Sequence, residues 1–462
     1  MFSASEPRRS IARSATPFWV WLILGGIFLS TFINVVQDHA IRGDVDNPAR
    51  AGELLAYQPE PWALQLGRVS YLLTFAGAAL SLAAPSRIRM GRNYLILLCL
   101  SVAYSFVMAA RNLQPSDFLG STFFSVMAPG CAIFSCLIFA SADKEAWRTL
   151  VRTVAYGTLG ISLIALFEMA QVRSASRGEA YWHLYAYSNI LEITAIVAFG
   201  WFAETRRTWL GLIPMAVLIA VSIAMQTRLM IVELVSLVFF YGLFSQRKLS
   251  SRAVVASCLG GLILLWGVYL AWYSPNALHS VLPESAAAFW DRATEDTRSA
   301  QFVNFFAKVP AETFILGVGV PRPGEFNGQG MSGIDLGYVN ILFLGGIPCL
   351  VLFFLLHQLP AIRCIGAKFD SVDAACLASV MTYSVALLSS EAPFPGPAYY
   401  ILMLLVGRSI MLVQERNRRY VPVYHGPTAG QPLENQETVA IAGRISRSRE
   451  RLMKLYGPQR SA

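Results

Sequence analysis

Four side chains stand out for the chemistry that their types and placement allow: Arg228, Arg292, Arg298 and Asp335. The last three fall in the longest polar interruption of an apolar chain, Ala286 to Gly346, which reads AAAFWDRATEDTRSAQFVNFFAKVPAETFILGVGVPRPGEFNGQGMSGIDLGYVNILFLGG. Guanidinium groups bind phosphate oxygens two at a time and stay charged where water is scarce. Arg228 sits at a tight turn, Gln226-Thr227-Arg228-Leu229, between two apolar runs. Asp335 opens the apolar stretch IDLGYVNILFLGGIP, where it serves either as a helix N-cap or as a carboxylate that takes a proton from an attacking hydroxyl. Glu233 follows Arg228 by a little over one turn and is either its ion-pair partner or a second carboxylate for the chemistry. Glu192, after Ser188 and Asn189, either binds sugar hydroxyls or caps a helix.

The elements that must position these residues are membrane spans. The chain has 462 residues, of which 55% are hydrophobic and 14% charged, and its mean hydropathy is +0.49. A soluble domain carries about 25% charged residues. Many runs here are nearly free of charge over the roughly 20 residues that cross a hydrocarbon core. Transmembrane barrels are excluded, because their strands alternate in polarity over about 10 residues. The expected fold is therefore all-α and polytopic.

We read about 12 spans: Pro17–Val36, Leu66–Ala84, Tyr94–Ala110, Leu119–Ala140, Leu150–Ala170, Leu184–Ala203, Leu210–Gln226, Leu229–Phe244, Ala253–Tyr273, Leu336–His357, Val372–Ser390 and Pro395–Leu412. The first is retained rather than cleaved, since no small-residue cleavage site follows it. Domain bounds follow as 1–413 for the transmembrane body, with a loop at 274–335, and 414–462 for a basic, flexible tail. The net charge of +9 does not indicate nucleic acid, because the basic residues lie in short loops and in the tail. With the N-terminus inside, the cytoplasmic loops hold Arg87/Arg89/Arg92, Lys144/Arg148/Arg152, Arg206/Arg207, Arg247/Lys248/Arg252 and Arg363/Lys368. Both termini then lie inside, and the segment before Leu336 faces out. The seven cysteines sit in or near spans and suggest neither a disulfide framework nor a zinc site. No metal or cofactor is expected.

Ionisable side chains inside spans are costly and mark function. In this orientation Arg68, Glu168, Glu192, Arg228, Glu233 and Glu391 all fall in outer halves, which favours a polar cavity open outward. Arg408 lies at the opposite end, where it can snorkel to the interface. In the outer segment, Phe289, Ala293, Ala300, Val303 and Ala307 recur at helical spacing and suggest an amphipathic helix over Ala286 to Lys308. Arg298 lies on its more polar side, as a solvated residue or as a phosphate ligand. Gly317-Val318-Gly319 lacks the context of a dinucleotide fingerprint and reads as a turn that brings the backbone back toward the membrane.

The order of these features resembles a family. Thr227-Arg228-Leu229 heads a mid-chain span. A long outward loop carrying TRSAQFVNFFAKVP and LGVG follows, and D-x-G-Y-V-N-I-L-F-x-G-G-I-P enters the next span. This is similar to the superfamily of O-antigen ligases and Wzy-type polysaccharide polymerases. The resemblance covers the architecture of most of the chain, with motifs confined to Thr227 to Pro348. It implies a metal-independent inverting glycosyltransferase of the bacterial inner membrane that uses an undecaprenyl-diphosphate-linked oligosaccharide. By position, Arg228 and Arg298 would bind the diphosphate; the base would be Asp335 or, in its place, Glu192 or Glu233. Arg292, Glu192, Glu233, Tyr338 and Asn340 would contact substrate. The ligases carry a His-Asn pair where this chain has Asp335 followed by Tyr338-Val339-Asn340, a departure that favours polymerase over ligase. Implied partners are membrane lipids and the chain-length regulator and flippase of the same pathway. A transporter or lipid-glycan flippase is the alternative from another class, and a non-catalytic assembly protein is a further one.

Overall fold

The computed structural model describes residues 16–42, 61–83, 92–112, 137–138, 144–171, 177–224, 228–246, 307, 309–317, 337–388 and 397–419. The longer elements are α1 (Phe18–Arg42), α2 (Pro61–Ala83), α3 (Arg92–Asn112), α4 (Lys144–Gln171), α5 (Arg177–Glu204), α6 (Thr208–Ala224) and α7 (Arg228–Phe244). They continue with α8 (Ala311–Leu316), α9 (Gly337–Phe353), a π-helical turn over Phe354–Gln358, α10 (Leu359–Arg363), α11 (Ser371–Ala386) and α12 (Pro397–Arg419). No strand occurs among the described residues; Ser245 and Phe369 form an isolated bridge. The chain falls into two compact units, Met1–Glu415 and Arg416–Ala462.

The architecture is all-helical. Five segments among the described residues are long and apolar enough to cross a membrane: Pro61–Ser81, Glu145–Met169, Ala186–Glu204, Gly345–Arg363 and Pro397–Asn417. Phe18–Ile33, Arg92–Met108, Thr208–Ser222, Val232–Phe244 and Ser371–Ala386 are shorter apolar helices. Large apolar side chains such as Phe28, Leu72, Phe167, Leu212 and Phe239 point outward from five different helices. A soluble protein rarely exposes apolar surface on that scale, whereas hydrocarbon would cover it. The expected spans Leu119–Ala140, apart from Leu137 and Ile138, and Ala253–Tyr273 lie outside the described residues.

Helix α5 is the hub, packed against α4, α6, α11 and α1. Its close approach to α11 depends on Gly200, where an added Cβ would lie 2.5 Å from the Ser371 carbonyl and 2.6 Å from the Ala375 Cβ. Two turns away, Ser379 Oγ donates to the Ile193 carbonyl at 2.7 Å. Small residues bring backbones together in apolar bundles, and hydroxyls that bond across them fix the register. These two contacts make α5 and α11 antiparallel.

Helix α7 also packs mainly on α11. Phe369 N donates to the Phe244 carbonyl at 2.8 Å, and Gln246 N donates to the Phe369 carbonyl at 2.9 Å. The C-terminus of α7 therefore meets the start of α11, and this pair is antiparallel as well. Asp370 caps α11, accepting from Asp373 N at 2.9 Å. Pro397 begins α12, a position that needs no N–H donor.

Two expectations are corrected. The span expected to run unbroken over Leu336–His357 is interrupted at Gly346 (φ 68°, ψ −175°), passes through the π-helical turn and continues to Arg363. Arg408, expected to snorkel, is only 6% exposed. Its Nε donates to Asp373 Oδ1 and its Nη2 to Asp373 Oδ2, both at 2.8 Å, while Nη1 reaches Glu415 Oε1 at 3.1 Å. A partner within the bundle removes the reason to reach for the interface.

Candidate functional site

The antiparallel register allows each residue to be placed along α11. At about 1.5 Å per residue, Glu192 on α5 lies level with Val380, since its neighbour Ile193 faces Ser379. Glu233, about three turns before Phe244 on α7, comes to the same level, since Phe244 faces Phe369. The two carboxyl groups in fact face one another. Glu233 is 1% exposed, and its oxygens have no hydrogen-bond partner other than the Glu192 carboxyl among the described residues. Glu192 is half-buried.

Arg228 is the first residue of α7, and only its backbone is described. It lies about four turns before Phe244, which brings it level with Val385 on α11. Helix α9 begins at this same end. Tyr338 N donates to the Leu387 carbonyl at 3.2 Å, and the Tyr338 hydroxyl donates to the Ser384 carbonyl at 2.9 Å. Gln358 Nε2 donates to that hydroxyl in turn. The Tyr338 hydroxyl, expected to contact substrate, is thus engaged within the protein. Asn340 follows on α9 with only its backbone described. Arg292, Arg298 and Asp335 lie outside the described residues, as does most of the expected amphipathic helix.

The break at Gly346 has an identifiable cause. Helix α8 presses its C-terminus against it: a Cβ on Gly346 would lie 2.6 Å from the Ile315 carbonyl and 2.7 Å from Gly317 N. Gly317 itself takes a positive φ of 71°, so the turn assigned to glycine geometry is present at its first residue. The Tyr104 hydroxyl on α3 donates to the Gly345 carbonyl at 2.8 Å and stands 3.5 Å from the Leu316 carbonyl. A tyrosine so placed satisfies a carbonyl exposed where the helix is interrupted. One hydroxyl thereby joins α3, α8 and α9.

No protein-family model matches the chain, and no curated protein matches its sequence. The chemical content of the site therefore rests on its own residues. Two carboxyl groups lie inside the bundle, and an arginine opens the helix that bears one of them. Helix α9 continues into the π-helical turn, where His357 is 8% exposed, stacks on the Phe353 ring at 4.2 Å and has its Nδ1 3.1 Å from the Phe353 carbonyl. Its Nε2 has no partner among the described residues. Among those residues no group of three or more His, Cys, Asp or Glu could hold a metal ion.

His357, Gln358, Tyr104 and Asp373 were not singled out by the sequence. The pair His357-Gln358 was visible as a polar interruption in FFLLHQLP but fell at the end of the expected span. Tyr104 and Asp373 carry no local signal, since the groups they serve lie far along the chain.

Proposed function

We propose that the chain polymerises undecaprenyl-diphosphate-linked oligosaccharide repeats by inverting glycosyl transfer at the outer face of a bacterial inner membrane. The observation that carries this reading is the convergence of two helix starts on one end of α11. Arg228 opens α7 level with Val385, and α9, which follows Asp335, is fastened to Ser384 and Leu387. That is the juxtaposition the family resemblance requires of its arginine and of the segment after its loop. The wider picture belongs to the same proposal: about 12 spans, both termini inside and the loop at 274–335 outward.

In this mechanism a sugar hydroxyl of one lipid-linked repeat attacks the anomeric carbon of another chain. The new carbon–oxygen bond forms as the anomeric bond to diphosphate breaks, and the electron pair leaves with undecaprenyl diphosphate. Arg228 and Arg298 stabilise the charge on the departing diphosphate; fixed cations in a poorly hydrated site do so without reorganising. Asp335 takes the hydroxyl proton, and Arg292 and Glu192 line the approach for sugar; Glu233, expected to contact substrate, is 1% exposed and lies behind Glu192. No cofactor takes part. The ligase version of this chemistry is less well supported, because the His-Asn pair is replaced by Tyr338-Val339-Asn340.

The deciding experiment gives the purified protein, in lipid nanodiscs, undecaprenyl-diphosphate-linked repeats alone. Appearance of products two or more repeats long supports the polymerase. A preparation that binds these lipids yet forms no glycosidic bond refutes it.

A carrier for the same lipids is the second reading. It is favoured by the interruption of α9 at Gly346, since broken helices are a recurring feature of transporters. Movement of labelled lipid-linked glycan across a vesicle membrane without a new bond would support it.

A further inference from the structure

Glu233 presents the most expensive arrangement in the described bundle. It is 1% exposed, and its carboxyl oxygens have no hydrogen-bond partner among the described residues other than the second carboxyl that faces it, Glu192. Two like charges at close range in an apolar interior cannot both persist without a counter-charge. A third polar group points to the same place. Ser371, Ala375 and Ser379 mark the face of α11 that meets α5. Thr382 continues that stripe one turn further, level with the two carboxyls. It is 3% exposed, and its hydroxyl also lacks a partner among the described residues.

The charged groups that could neutralise the pair are few. Helix α6 carries no titratable side chain over Thr208–Ala224. On α4, set against α5 by the Tyr156–Phe202 contact, the buried Glu168 lies within a turn of the Glu192 level and is a further carboxyl, not a counter-charge. On α1 the titratable residues are Asp38, His39 and Arg42, all near its C-terminus. On α11 the titratable residues are Asp373, Cys376 and Tyr383; Asp373 lies at the opposite end and is already held by Arg408. On α5 the nearest is Tyr187, and on α7 it is Arg228, more than a turn before Glu233.

We infer that Glu192 and Glu233 form a binding site for one exchangeable proton, shared between the two carboxyls within reach of the Thr382 hydroxyl. A proton suits this site better than a metal ion. Two carboxyls and one hydroxyl supply at most five oxygens, fewer than the six to eight that hard cations gather, and no third acidic, His or Cys side chain joins them among the described residues, while a single proton both halves the charge and supplies the missing hydrogen-bond donor. The inference rests on this geometry and not on the transferase reading.

Infrared spectroscopy of the full-length protein in lipid nanodiscs tests this directly at neutral pH. The expected result is a protonated-carboxyl stretch, sensitive to deuterium exchange, that disappears in Glu192→Gln/Glu233→Gln. In Glu192→Gln alone the band should shift in frequency as its partner becomes an amide, which keeps the test available if the double variant does not fold. Three outcomes overturn the proposal. A wild-type protein without the band has both carboxyls ionised, as pairing with Arg228 would make them. A band unmoved by both variants belongs to another residue. A band abolished by sodium chloride at constant pH means that the occupant is a metal cation.

Discussion

Arg408 on α12 grips Asp373 on α11 with two parallel hydrogen bonds of 2.8 Å each, and both side chains are more than nine-tenths buried. The fork of the guanidinium matches the two carboxylate oxygens, so the pair fixes how the helices are rotated as well as how far apart they lie. Glu415 adds a third, more exposed contact at 3.1 Å.

Removing one partner of this pair leaves the other charge buried and without its main counter-charge. Asp373→Leu should lower stability by about 3–5 kcal/mol. Arg408→Leu/Asp373→Leu should lose less than the single change, because no unpaired charge then remains. Thermal unfolding of the purified variants in one detergent measures both. Equal losses for the single and double variants would mean that packing, rather than charge, dominates at this contact.

Gly346 should not tolerate a side chain. Gly346→Ala meets α8 backbone at 2.6 Å and forces a non-glycine residue to a φ of 68°. Tyr104→Phe should destabilise by about 1–3 kcal/mol, since the Gly345 carbonyl would lose its donor. Gly157→Ala, on α4 with nothing within 4 Å of the added methyl, is the internal control and should unfold like the wild type.

Arg228→Ala and Arg298→Ala should express normally, yet long glycan should disappear while single lipid-linked repeats accumulate. A loss of transfer rate of about 10²–10³-fold is the scale expected when one fixed stabiliser of developing charge is removed. Gel separation of cellular glycan, together with quantified membrane insertion, reads both quantities. Full-length polymer in both variants would remove these arginines from the mechanism.

Tyr338 and Asp335 should separate by type of defect. Tyr338→Phe releases Gln358 and the Ser384 carbonyl and should cost about 1–3 kcal/mol of stability, with modest loss of transfer. Asp335→Asn keeps the size and hydrogen-bonding capacity of the side chain and should leave stability nearly unchanged, while transfer falls by about 10²–10⁴-fold if the carboxylate takes the proton. Melting curves and the nanodisc polymerisation assay, run side by side, distinguish the two.

Much of the fold was legible because spans announce themselves through composition. Leu184–Ala203 was expected and Ala186–Glu204 is found; Leu229–Phe244 was expected and α7 begins at Arg228. Contacts between residues distant in sequence leave no comparable trace. Gly345-Gly346 lies in an apolar run that a continuous helix would accept, and the break arises because α8 occupies the space beside it. Arg408 looked like an interfacial arginine because Asp373 lies 35 residues earlier in the chain. Glu192 and Glu233 were each recognisable as costly, but their meeting depends on α5 and α7 both running antiparallel to α11.

The seat of α8 on Gly346 also sets a boundary condition on the chain that joins them. Gly317 rests against Gly346, and the chain is next described at Gly337, nine residues earlier on the same helix. Along a helix that separation is about 14 Å. The intervening segment therefore leaves and rejoins the body at nearby points, and its closure is set by the seat rather than by its own length. Because doubling such a segment adds only about 0.6 kcal/mol of closure entropy, insertions there should be thermodynamically cheap.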